Sequence, residues 1–146
     1  MKALIQRVTQ AHVMVGQEQV ARIQAGMLVL VCAEPQDERA HAEQLLDKLL
    51  KLRIFSDADG KMNLNLEQTA GELLLVSQFT LAADTSRGTR PGFSRAAPPE
   101  LAKDLFHYLI DLARFRLGKV QHGIFAADMQ VHLVNDGPVT IPLDIH

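Results

Sequence analysis

Met27-Leu28-Val29-Leu30-Val31-Cys32-Ala33 is apolar at every position. A strand with one wet face would alternate, and an amphipathic helix would keep a polar side; this run does neither. It reads as a strand covered on both faces, so the fold must supply cover on both sides of a sheet. Glu34-Pro35 ends it. Leu73-Leu74-Leu75-Val76 is a second such run, and it turns polar at Ser77-Gln78-Phe79-Thr80.

The remaining elements group around these two. Lys2 to Val8 reads as a strand, followed by His12 to Val15 and Gln19 to Ile23 around Gly16-Gln17-Glu18. Asp37 is placed to cap a helix running to about Leu52, with Ala42, Leu45, Leu46, Leu49 and Leu50 as its buried stripe. Asp57-Ala58-Asp59-Gly60-Lys61 is a hairpin turn. A calcium loop would need glycine at its sixth position and glutamate at its twelfth, and Gly60 is fourth from Asp57. Pro98-Pro99-Glu100 opens a second helix through Leu101, Leu105, Leu109, Leu112 and Phe115 or Arg116, with Gly118 as its stop. Met129, Val131 and Leu133 mark a half-buried strand. Asn135-Asp136-Gly137 then turns, with Gly137 at positive φ and Pro138 starting a return strand through Val139 to Leu143. Many hairpin-joined strands with two helices imply a single α+β domain over residues 1–146 with largely antiparallel sheets.

Charge and cysteine usage narrow the function classes. The net charge of −2 argues against broad nucleic-acid coating, yet it is unevenly spread. Arg87 to Arg95 holds three arginines and no acid, whereas Glu34 to Asp47 holds five acids and one arginine. Such a loop on a mildly acidic body suits a few phosphates of one nucleic-acid terminus, or is a solvated surface loop. Cys32 stands alone, so no internal disulfide forms and a reducing compartment fits. No apolar run approaches the roughly 20 residues of a membrane span, and no signal-peptide pattern opens the chain. A cytoplasmic protein is expected.

Ordinary side-chain catalysis finds few candidates. A Ser77 or Thr80 nucleophile needs a base and an orienting group, but the six histidines are scattered and no G-x-S-x-G elbow occurs. No H-E-x-x-H and no cysteine pair points to a metal, and no glycine-rich phosphate cradle is present. No metal or cofactor is expected. Carboxylate pairs such as Asp57/Asp59 and Asp111/Asp128 have nothing to set them apart from a solvated surface. Backbone groups and the substrate's own functional groups are therefore the better suspects.

Ser77-Gln78-Phe79-Thr80-Leu81 and Asn135-Asp136-Gly137-Pro138-Val139-Thr140 are similar to the two signature segments of the D-aminoacyl-tRNA deacylases. Arg7-Val8 with Ala11 and Val13, and Arg90-Pro91, Phe93 and Ala97-Pro98-Pro99, extend the resemblance along the chain. Gly92 departs from a frequent serine in the Arg-Pro-x-Phe segment. Ala126, after Phe125, departs from a frequent glycine and is expected to limit positive φ there.

The resemblance implies a layered, barrel-like β/β/α homodimer. By the same resemblance it would hydrolyse the ester joining a D-amino acid, or mischarged glycine, to the 3′ end of tRNA, with no DNA or membrane partner. Ser77, Gln78, Phe79 and Thr80 would form the catalytic segment, holding the terminal adenosine and the ester, with ribose 2′-hydroxyl assistance. Thr80 is the side-chain nucleophile candidate. Gly137 and Pro138, joined by a cis bond, would enter the partner's pocket and exclude L side chains. Arg7 would orient them, and Met129 would line the pocket or belong to the core. The rival readings are a non-catalytic RNA-end binding module and a related editing deacylase with a trans Gly-Pro bond that accepts small L-residues.

Overall fold

In the computed structural model, which describes residues 1–146, one long strand organises the sheet. β1 (Lys2–Val15) joins the two strands expected at its ends into a single 14-residue element. β8 (Met129–Asp144) pairs antiparallel along nearly its whole length. The other edge of β1 is shared, with β3 (Gly26–Cys32) beside its first half and β2 (Glu18–Ile23) beside its second. β6 (Glu72–Ser77) runs parallel to β3, and the short β7 (Gln121–His122) runs parallel to β6. The sheet then curls back on β2: the Arg22 N–H donates to Gln121 Oε1 at 3.5 Å, and the Gln24 N–H to Glu72 Oε1 at 3.0 Å. The result is a nearly closed, barrel-like sheet. β4 (Phe55–Ser56) and β5 (Met62–Leu64) form the hairpin expected around Asp57 to Lys61, with Gly60 at φ 77°.

The two apolar runs find cover on both faces. Met27, Val29, Val31, Leu73 and Leu75 pack into a core completed by the two helices. Leu28, Leu74 and Val76 point the other way, into a smaller core with Val8, Ala11, Val13, Ala21 and Ile23. α1 (Arg39–Lys51) buries the five stripe residues read from the sequence. Each fully buried leucine contributes about 1.5–3 kcal/mol of transfer free energy, so this stripe holds the helix on the sheet. No helix is long and apolar enough to cross a membrane.

Close packing at the β3–β6 junction depends on one glycine. A Cβ on Gly26 would lie 1.9 Å from the Glu72 carbonyl oxygen. Only a residue without a side chain lets the parallel pair begin there.

Three expectations are corrected. Glu38, not Asp37, is the cap of α1, and its N–H donates to His41 Nδ1 at 2.9 Å. Asp37 is 7% exposed and accepts from the Met1 ammonium at 2.8 Å and the Glu34 N–H at 2.7 Å. A buried carboxylate goes to the available cation rather than to a helix end, because an unpaired charge is costly there. α2 (Pro99–Leu117) stops at Gly118, φ 79°, but its buried stripe is Leu105, Phe106, Leu109, Ile110 and Ala113. Phe115 is 87% exposed. The last two steps of that reading are three residues each, falling about 60° short of a full turn every time, which carries position 115 off the core side.

The third correction concerns Asn135 to Pro138. No hairpin forms; β8 continues past them on the same partner. Gln6 pairs with Thr140 and Val8 with Asn135, so Asp136, Gly137, Pro138 and Val139 stand opposite Arg7 alone. The strand bulges outward over these four residues and resumes. Asn135 closes the bulge: its Oδ1 accepts the Val139 N–H at 2.9 Å and its Nδ2 donates to Thr140 Oγ1 at 2.8 Å. These bonds replace the ladder bonds that the bulge removes.

Candidate active site

At the end of β6 the chain keeps its place beside β3 for one more residue, the Gln78 N–H donating to the Val31 carbonyl at 2.7 Å. It then winds into a 3₁₀ turn over Phe79–Ala82. The N–H groups of Phe79 and Thr80 head this turn and have no intrahelical partner, as expected for the start of any helix. Gln78 Nε2 donates to Thr80 Oγ1 at 2.6 Å, tying the two polar side chains together. The Cys32 thiol contacts the Phe79 carbonyl oxygen at 3.5 Å.

This turn borders a cavity of about 620 Å³ between the ends of β3 and β6, the start of α2 and the segment before β8. Ser77, Gln78, Phe79 and Met129 line it; Thr80 adjoins it through Gln78. Its walls are mostly apolar, and its ionisable side chains are Cys32 and Asp128. Burial pushes the Cys32 thiol above its ordinary range, the opposite of what an activated nucleophile needs. No histidine lines the cavity. Its one carboxylate, Asp128, is exposed and makes no hydrogen bond to Thr80 or Ser77, whereas Phe79, at the head of the 3₁₀ turn, borders the cavity.

Further residues line or adjoin the walls. Phe93 is 38% exposed and packs edge-on against Phe79, itself 56% exposed, with centroids 5.0 Å apart. Gly123 leaves room for Met129, whose sulfur would lie 2.7 Å from a Cβ at that position. Ala126, a cavity-lining residue, holds φ at 65° despite its methyl group, so the expected restriction is overridden by the turn that carries it. Gly92 is unconstrained: it has no positive φ and open space where a Cβ would be. Phe93, Gly92 and Ala126 carry a sequence signal through the family resemblance, whereas Gly123 carries none.

Arg7, Gly137 and Pro138 form a separate cluster on the bulge. Arg7 Nε donates to the Asp136 carbonyl at 3.0 Å, and Nη1 to the Ile54 carbonyl at 2.7 Å. The Asp136 carboxylate stands 3.5 Å from Nε. Gly137 has φ 133°, and the Gly137–Pro138 peptide is cis. A Cβ on Gly137 would lie 2.8 Å from Val139 Cγ2 and 3.0 Å from Arg7 Nη2. Both motif residues are exposed, and neither lines the cavity of its own chain.

The family described as D-Tyr-tRNA(Tyr) deacylase matches residues 4–144 of the chain. A D-aminoacyl-tRNA deacylase of Pseudomonas syringae pv. syringae (strain B728a) is 60% identical over 144 residues, covering 99% of both chains. One of Polaromonas naphthalenivorans (strain CJ2) is 57% identical over 150 residues, covering 99% of this chain and 97% of the relative. Among solved structures, c-Myc DNA Unwinding Element Binding Protein is 40% identical with a TM-score of 0.93, covering 99% of this chain and 98% of its own. A probable eukaryotic D-amino acid tRNA deacylase shares the fold at 17% identity and a TM-score of 0.87, with the same coverage. The chain belongs to the D-Tyr-tRNA(Tyr) deacylase family.

Proposed function

We propose that this family member hydrolyses the ester between a D-amino acid and the terminal adenosine of tRNA, and likewise removes mischarged glycine from tRNA(Ala). The observation that carries the mechanism is a roomy apolar cavity bordered by the start of a 3₁₀ turn, with no histidine in its walls and no carboxylate bonded to Ser77 or Thr80. Such a cavity suits a substrate that brings its own assisting group. The ribose 2′-hydroxyl sits next to the ester and takes that part: water adds to the carbonyl carbon, the bond to the ribose 3′-oxygen breaks, and that oxygen leaves with a proton passed on through the 2′-hydroxyl. The Phe79 and Thr80 N–H groups meet the oxyanion as it develops, which lowers the barrier without a charged residue. Ser77 and Gln78 position the adenosine and the ester, and Thr80 orients Gln78.

Chirality is read by exclusion. Gly137 and Pro138 project from the bulge of one protomer, held by Arg7, into the cavity of a second copy. Their carbonyl oxygens face the substrate ammonium. With ammonium and ester fixed, a D side chain points outward, glycine has none, and an L side chain meets the motif backbone. The exposure of both residues outside their own chain's cavity supports this two-chain assembly. Overlap with backbone rejects a substrate far more strongly than a missing methylene, which is worth only about 1–3 kcal/mol.

The test is release of tRNA from D-Tyr-tRNA and L-Tyr-tRNA by the purified protein. Rapid release from the D substrate with the L substrate intact is expected. Binding of both without D-selective release would leave an RNA-end binding module.

A further inference from the structure

We propose that the loop Asp84–Arg95 is the contact surface for the phosphodiester backbone of the single-stranded RNA leading into the cavity. The inference rests on the cavity accepting a 3′-terminal nucleotide, for then the preceding nucleotides must leave through its mouth. Phe93 belongs to both features, lining the cavity against Phe79 while sitting within the arginine-rich loop.

The loop has a fixed shape. Asp84 and Gly92 exchange two backbone hydrogen bonds, at 2.7 and 2.9 Å. The Asp84 carboxylate accepts the Ser86 N–H at 3.0 Å and stands 3.6 Å from Arg95 Nη2. The Ala97 N–H donates to the Ala33 carbonyl at 2.9 Å, anchoring the far end to the edge of the cavity. The one acid of the loop is thereby engaged near its base. Arg87 and Arg90 are exposed and make no hydrogen bond or ion pair.

Two unpaired guanidiniums on a braced loop match the spaced, singly charged phosphates of a nucleic-acid strand. Each contact releases condensed counterions, giving a slope of about 0.7 per phosphate for single strands. The exposed rings of Phe79 and Phe93 at the rim add a face on which a base can stack, the usual companion of such a basic track. A mildly acidic body with its positive charge concentrated here selects for one terminus rather than for coating a duplex.

The experiment compares wild type with R87Q/R90Q, which removes two exposed side chains that make no hydrogen bond or ion pair within the protein. Affinity for a short single-stranded RNA ending in CCA is measured by fluorescence anisotropy across salt. Hydrolysis is measured on D-tyrosyl-tRNA and on 3′-(D-tyrosyl)adenosine, which has no phosphate. Loss of two contacts lowers the salt slope by about 1.4, so raising salt from about 50 to 200 mM should weaken wild-type binding about 7-fold more than binding of the variant. kcat/KM on D-tyrosyl-tRNA should fall through KM, with hydrolysis of the adenosine ester unchanged and R87K/R90K restoring most of the loss. An unchanged salt slope, or an equal loss on both substrates, would overturn the proposal. If wild type hydrolyses neither substrate, the deacylase reading fails, while the RNA-binding comparison still decides the role of the loop.

Discussion

Ala126 holds φ at 65°, in the left-handed region where a Cβ crowds the carbonyl oxygen, and its side chain is exposed. Alanine there costs about 1–2 kcal/mol relative to a right-handed conformation. Glycine removes that cost but returns about 0.4–1 kcal/mol through the greater freedom of the unfolded chain. The exposed methyl contributes little packing, so Ala126→Gly should stabilise the protein by about 0.5–1 kcal/mol, the difference between those two effects. For a chain of this size that corresponds to a rise of about 1–4 °C in Tm. The matched control is Ala127→Gly, half-buried and without positive φ, which should lower Tm in the usual way. Thermal unfolding followed by circular dichroism, at one fixed protein concentration, measures both. A fall of 2 °C or more for Ala126→Gly would show that residue 126 is not left-handed and refute the reasoning.

Gly26→Ala should disrupt the start of the β3–β6 pairing, since its Cβ would overlap the Glu72 carbonyl; destabilisation of about 3 kcal/mol or more is expected in denaturant titration, and a loss below about 1 would be incompatible with that contact. Arg7→Lys should lose at least one of the two carbonyl contacts, each worth about 1.5–3 kcal/mol, and lower the D-over-L ratio on tyrosyl-tRNA about 10-fold or more. An unchanged ratio would mean that the guanidinium does not position Gly137. Cys32, raised by burial, holds less thiolate than free cysteine at pH 8, so its alkylation should be slower than that of glutathione and accelerate on unfolding. A native rate equal to that of glutathione would contradict the burial.

Local pattern was enough wherever a residue's partner was the bulk core. The all-apolar runs at 27–33 and 73–76 announced strands buried on both sides, and the α1 stripe and the Gly118 stop followed from helical spacing. Pattern failed where a distant group decided the outcome. Asp37 has the chemistry of a cap, but a cation 36 residues away in sequence claims it. Asn135-Asp136-Gly137-Pro138 has the chemistry of a hairpin turn, and in an isolated segment nothing argues otherwise. Beside β1 the balance changes, because continuing the strand regains the ladder from Thr140 to Asp144, and Asn135 supplies the two bonds that span the interruption. Arg7, the one β1 residue opposite the bulge, then becomes its clamp instead of an ordinary surface arginine. The cavity arose in the same way, from the ends of strands far apart in the chain, and so did the contact of Phe93 with Phe79 in its wall. The geometry of the candidate site is made at long-range junctions: residues of turn-forming type, placed against a neighbouring strand, project a braced backbone bulge where a free turn would only have reversed the chain.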